Sequence, residues 1–117
     1  MTHPLDSTRA DPLDAEIERN VAVALAEDVG AGDLTAQLVP ENLLTGATVI
    51  SREHAVLCGT AWFECCFSKL DARIKINWEA ADGDRVAPNQ ILCELRGPAR
   101  ALLTGERTAL NFLQLLS

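Results

Sequence analysis

The stretch that most constrains how this chain can fold is its last one, Leu102-Leu103-Thr104-Gly105-Glu106-Arg107-Thr108-Ala109-Leu110-Asn111-Phe112-Leu113-Gln114-Leu115-Leu116-Ser117. Its spacing predicts an amphipathic helix, and such a helix needs a surface on which to bury its apolar face. Placed on a helix, Arg100, Thr104, Arg107, Thr108, Asn111 and Gln114 fall within about a third of the circumference, while Leu102, Ala109, Leu110, Phe112, Leu113 and Leu116 cover most of the rest. Helices tend to close on Gly or Asn, a basic last turn, or a Pro just beyond. Here the final residues are Leu-Leu-Ser in full apolar periodicity. The expectation is a chain cut within this helix, with part of its working structure elsewhere.

The remaining elements can be read from spacing and punctuation. Residues 1–10 are polar and expected to be disordered, and Asp11-Pro12 reads as an N-cap followed by Pro at the first helical position. Leu13, Ile17, Val21, Ala24 and Leu25 then share one helical face, with Gly30 and Gly32 predicted to end that helix. Asp33-Leu34-Thr35 follows as a turn or a second helix start, and Pro40 punctuates again. Ala47–Ser51 and Ala55–Cys58 read as short strands, and Thr60–Leu70 as a helix packing Phe63, Phe67 and Leu70. Arg73–Trp78 alternates strictly, which puts Ile74, Ile76 and Trp78 on one face of a strand. Asp82-Gly83 and Pro88-Asn89 are turn signals, Ile91–Leu95 is a further strand, and Gly97-Pro98 is predicted to open the final helix. Helix, strands, helix, strands, helix is an α+β order: a single domain over 1–117, with a small antiparallel or mixed sheet and packed helices.

Composition narrows the function classes. The 117 residues are 48% hydrophobic and 23% charged, ordinary values for a globular domain. No apolar run approaches the ~20 residues of a membrane span, and the N-terminus lacks the basic and apolar regions of a secretory signal. The net charge is −7, with ten acids against three bases in residues 1–58 and seven of each in 59–117. The acidic half disfavours nucleic acid as a partner, while Arg96, Arg100 and Arg107 make the C-terminal part the better place to meet an anion. Cys58, Cys65, Cys66 and Cys93 form no Cys-x-x-Cys pair and sit among apolar neighbours, so four free thiols in a reducing cytoplasm are expected.

Few residues carry chemistry on spacing alone. The polar stripe of the last helix holds two cations, two hydroxyls and two amides without an acid, which suits a carboxylate or phosphate; on spacing alone a solvated helix face is the favoured reading, since polar helix faces are the norm. Gly30-Ala31-Gly32-Asp33-Leu34-Thr35 follows a helix and has Thr where a phosphate loop needs its third Gly, so it reads as helix punctuation. Glu27, Asp28 and Asp33 read as solvated carboxylates, and His54 as a turn histidine. The Gly83-Asp84-x-Val86…Gln90-x-Leu92 pattern is similar to that of biotinyl and lipoyl carriers. Their function needs a lysine at a hairpin tip, and only Lys69 and Lys75 are present.

Four segments in order carry a wider resemblance: Glu27-Asp28-x-Gly30-x-Gly32-Asp33-Leu34-Thr35, Arg52-Glu53-x-x-Val56-Leu57-Cys58-Gly59, Asp82-Gly83-Asp84, and Gly97-Pro98-Ala99-Arg100-x-Leu102-Leu103-Thr104-Gly105-Glu106-Arg107-Thr108-Ala109-Leu110-Asn111-Phe112. Together they resemble the N-terminal domain of the quinolinate phosphoribosyltransferase (nicotinate-nucleotide pyrophosphorylase, carboxylating) family over roughly residues 15–117. The resemblance implies an α/β-hammerhead-like N-terminal domain without the family's C-terminal α/β barrel. In the complete enzyme it implies conversion of quinolinate and phosphoribosyl pyrophosphate to nicotinate mononucleotide, carbon dioxide and pyrophosphate in NAD biosynthesis. Mg²⁺ would be the cofactor, with its ligands outside this chain, and the enzyme a homodimer in which this domain covers the other subunit's barrel mouth. It further implies that Arg107 reaches toward the dicarboxylate, with Arg100 and Thr108 sharing its face as secondary candidates, and that no catalytic residue lies in the fragment, which alone would be inactive. A non-catalytic barrel-sandwich module and a related nicotinate-type phosphoribosyltransferase are the alternatives.

Overall fold

A computed structural model describes residues 12–117, with backbone alone for 29–37. The expectations for residues 1–10 and for an Asp11 cap lie outside the described residues. Helix α1 (Pro12–Gln37) starts at the predicted proline and buries Ile17, Val21 and Leu25. Leu13, placed on the same stripe, is 53% exposed.

The predicted end of α1 at Gly30 and Gly32 is corrected: the helix runs through both glycines and through Asp33-Leu34-Thr35 as far as Gln37. Each interior glycine costs about 1 kcal/mol of helix propensity, which packing against two other helices can offset. The effective stop is Pro40, whose ring disfavours the helical conformation at Val39.

Strands β1 (Leu44–Ile50) and β2 (Ala55–Val56) follow, then helix α2 (Thr60–Leu70) over the predicted span. Strands β3 (Lys75–Trp78), β4 (Arg85–Val86) and β5 (Ile91–Pro98) lead into helix α3 (Ala99–Leu116). One sheet has the order β1-β5-β3 and a second pairs β2 with β4, all antiparallel. The turn signals hold: Gly83 and Asn89 take left-handed φ values of 94° and 70°. The short pair β2–β4, not expected at residues 85–86, ties the Asp82-Gly83 turn to Leu57 through Leu57 N–H to Asp84 O at 2.8 Å and Gly83 N–H to Leu57 O at 2.8 Å.

Gly97-Pro98 leads into the last helix as expected, and both residues also finish β5, opposite Thr45 and Leu44. A Cβ at Gly97 would stand 2.9 Å from Ile74 Cγ1 and 3.0 Å from Ile74 Cα, so this glycine permits a close approach rather than a turn. Pro98, extended at φ −60° and ψ 127°, is the residue from which α3 starts.

Cys93 and Leu95 of β5 share a sheet face with Val49 and Ala47 of β1 and with Trp78 and Ile76 of β3, while Glu94 and Arg96 face the other way. The three helices pack on one another and enclose the core with that face. Phe63 of α2 lies at its centre, its ring 5.2 Å from those of both Phe67 and Trp78 in edge-on contact. Trp78 Nε1–H donates to Glu64 Oε2 at 2.7 Å. Coverage is incomplete beside β1: every β1 residue except Val49 is exposed, and a groove of ≈ 650 Å³ opens between β1 and α3, floored by Phe67, Leu95, Leu102 and Leu113.

Candidate functional site

Helix α3 carries the candidate residues, and packing fixes its placement. Gly105 is buried against α2, where a Cβ would come within 2.6 Å of Leu70 Cδ1 and 3.0 Å of Phe67 Cε1. That contact explains a glycine inside a helix. Leu102, Ala109 and Leu113 complete the buried side. At the C-terminal end the Ser117 hydroxyl donates to Cys58 O at 3.0 Å and accepts from Cys58 N–H at 3.1 Å, and Leu116 packs on Gly59.

The polar stripe does not act as one surface. Arg100 is half-buried at the start of α3; its Nη2 and Nε donate to Val39 O at 2.6 and 3.1 Å, and Nη1 meets Glu41 Oε1 at 3.3 Å. Those bonds tie α3 to the loop that follows α1. Thr104 donates to Arg100 O at 2.9 Å, the back-bond typical of a helical threonine. Thr108 is 1% exposed and donates to Asp28 Oδ2 of α1 at 2.7 Å. Asp28, expected to be solvated, therefore has a buried partner. Arg107 has a different setting: it is exposed and makes no hydrogen bond or ion pair among the described residues.

Two leucines bracket Arg107. Leu103 and Leu110, four residues before it and three after, lie on its side of the helix and are 39% and 41% exposed. The sequence pattern places Leu110 on the apolar face of the helix, and there it lines the open groove. Arg107 thus stands on a mixed face, a cation between two uncovered leucines.

The other candidates fall away from this face. His54 is exposed in the turn before β2. Lys69 ends α2 beside Glu18 at 3.6 Å, and Lys75 lies in β3 opposite Arg96, so neither is a carrier lysine at a hairpin tip. All four cysteines are free thiols. Burial raises the Cys65 thiol, and it pushes Cys66 and Cys93 up to about 12, with the charge of Asp28 adding to the effect at Cys66 and those of Glu64 and Glu94 at Cys93. Among the described residues no group of three or more His, Cys, Asp or Glu side chains could hold a metal ion. No described helix is long and apolar enough to cross a membrane.

The described residues form a small antiparallel α+β domain whose last helix displays Arg107 without a hydrogen bond or ion pair among them. The profile of the family described as quinolinate phosphoribosyl transferase, N-terminal domain, matches residues 33–117, and the chain belongs to that family. It is 37% identical over 91 residues to the Bacillus subtilis protein named probable nicotinate-nucleotide pyrophosphorylase (carboxylating), covering 78% of this chain and 32% of that one. It is 31% identical over 99 residues to quinolinate phosphoribosyltransferase (decarboxylating) 1b of Nicotiana tabacum, covering 83% and 28%. Among solved structures, the nicotinate-nucleotide pyrophosphorylase of Francisella tularensis superposes with a TM-score of 0.79 at 42% identity, over 84% of this chain and 35% of that one. NadC from Streptococcus pyogenes gives 0.81 at 32% identity, over 92% and 38%. The chain therefore spans about a third of the length of these relatives and corresponds to their N-terminal domain. These likenesses do not favour the barrel-sandwich carrier.

Proposed function

We propose that this domain covers the substrate in an enzyme that joins quinolinate to the phosphoribosyl group of phosphoribosyl pyrophosphate and releases carbon dioxide and pyrophosphate. The carrying observation is Arg107, exposed, unpaired among the described residues and set between the exposed Leu103 and Leu110. A solvated helix face accounts for a lone arginine, but not for leucines on both sides of it. A face later covered by another protein surface accounts for all three.

Quinolinate carries two carboxylates, and a guanidinium offers a planar fork matched to one of them. A fixed arginine adds charge-assisted binding and holds the ring for attack by its nitrogen on the ribose. Arg100, engaged with Val39 O and Glu41, is the less suited of the two arginines, and Thr108 is sealed inside. The covering surface is the barrel of a second subunit in a homodimer, and Mg²⁺ is bound by groups outside this chain. The four free thiols support a reducing compartment such as the cytoplasm.

The test is product formation by the full-length protein, meaning this domain joined to the remaining length that its relatives possess. Nicotinate mononucleotide and carbon dioxide formed from quinolinate are expected. Turnover of nicotinate with none of quinolinate would contradict the proposal and identify the related nicotinate-type enzyme.

A further inference from the structure

The acid that meets Thr108 has no part in that proposal as a ligand, yet its position bears on Arg107. Thr108 follows Arg107 directly, about 100° further round the helix. When its hydroxyl is turned inward to Asp28, Arg107 is turned outward. Apart from this bond the described contact of α3 with the other two helices is apolar, and its further polar ties, Arg100 to Val39 O and Glu41 and Ser117 to Cys58, lie at its two ends; apolar contact sets separation better than rotation. Gly105 fixes how closely α3 approaches α2. A hydroxyl-to-carboxylate bond of 2.7 Å at a site 1% exposed is directional and charge-assisted, and it fixes the angle.

Small rotations matter here. A group near the ~5–6 Å outer radius of a helix moves about 1 Å for a rotation of roughly 10°, and a misplacement of about 1 Å can cost ~10²-fold in rate. Resting on the reading of Arg107 given above, we propose that Asp28 and Thr108 are positioning residues whose hydrogen bond sets the direction in which Arg107 meets the dicarboxylate. Asp28 serves this role from α1, 79 positions before the arginine it aims.

The full-length protein tests this with Thr108→Val, Thr108→Ser, Asp28→Asn, Arg107→Ala and the double variant Thr108→Val/Arg107→Ala. Melting temperature is read beside KM for quinolinate, KM for phosphoribosyl pyrophosphate and kcat. Thr108→Val is expected to raise the quinolinate KM about tenfold, the size of one lost oriented hydrogen bond, with the phosphoribosyl pyrophosphate KM within about twofold. Thr108→Ser should restore it, and Asp28→Asn should act in the same direction as Thr108→Val. Once Arg107 is alanine, Thr108→Val should raise the quinolinate KM no further, since a positioning residue has nothing left to position. Additive effects in the double variant, or equal shifts in both KM values, would overturn the proposal in favour of a structural bond. Should Thr108→Val fail to fold, Asp28→Asn alone and combined with Arg107→Ala carries the same comparison. If Arg107→Ala raises the quinolinate KM but Thr108→Val does not, the positioning role fails alone; if Arg107→Ala changes nothing, both readings fall.

Discussion

Arg100 and Arg107 lie two turns apart on α3, yet one belongs to the fold and the other is spare. Replacing Arg100 by Ala removes two hydrogen bonds to Val39 O and one to Glu41. A loss of about 1 kcal/mol is expected in urea unfolding, because bonds from a half-exposed cation are partly replaced by water. Gly105→Ala opposes two effects. Helix propensity favours Ala by about 1 kcal/mol, while overpacking against Phe67 and Leu70 costs about 1–3 kcal/mol. Packing prevails, so the variant should be less stable than the parent; a rise in stability would show that the α2–α3 contact is looser than described.

The thiols give a pH dependence of definite sign. Cys66 and Cys93 hold their protons more tightly folded than unfolded, with thiols near 12 against an ordinary value of 9.0. Their contribution is complete below about pH 9 and is lost as pH rises toward about 12. Urea midpoints should therefore fall between pH 8 and pH 10, and the absence of tyrosine keeps phenol titration from confusing the result. Alkylation under native conditions should modify the exposed Cys58 first, leaving Cys66 and Cys93 until the chain unfolds.

At the scale of elements, the sequence was readable where one pattern ran without competition. Helix α2 and the alternating β3 follow directly from apolar spacing and bounding turns. Glycine was the misleading signal, because it marks close approach as well as chain termination. Gly97 accommodates Ile74, Gly105 accommodates Phe67 and Leu70, and α1 passes through Gly30 and Gly32. Which role applies depends on distant neighbours that no local window contains. Gly97→Ala should accordingly destabilise the β5–β3 corner by about 1–3 kcal/mol, since the added methyl meets the backbone of Ile74 as well as its side chain. A neutral result would return Gly97 to a turn role.

The candidate site was half legible on the same terms. Arg107 came from the motif that carries the family resemblance. The partner of Thr108 was missed although a trace of it existed: Asp28 continues the buried series Ile17, Val21, Leu25 at helical spacing, an acid on an apolar stripe. A charge in that place calls for a partner. Its identity could not be read, because Thr108 is 80 positions away and two helices must pack before they meet. The bracketing leucines were hidden for the opposite reason: spacing puts Leu110 on the apolar face, and which part of that face the domain itself covers depends on how the helices pack.

At the scale of the molecule, the uncovered face of α3 and the groove beside β1 mark a domain with surface left to bury. The 117-residue chain alone should form no nicotinate mononucleotide from quinolinate and phosphoribosyl pyrophosphate. Its sedimentation coefficient should rise with concentration as copies associate through Leu103, Leu110 and the groove. The central claim is that Arg107 serves substrate rather than fold. Calorimetric titration of quinolinate into the full-length protein and its Arg107→Ala variant tests it most directly. The predicted result is an affinity lower by about ten- to a hundredfold, as for one charge-assisted hydrogen bond of ~1.5–3 kcal/mol, at an unchanged melting temperature; equal affinities, or a variant that loses stability instead, would contradict it.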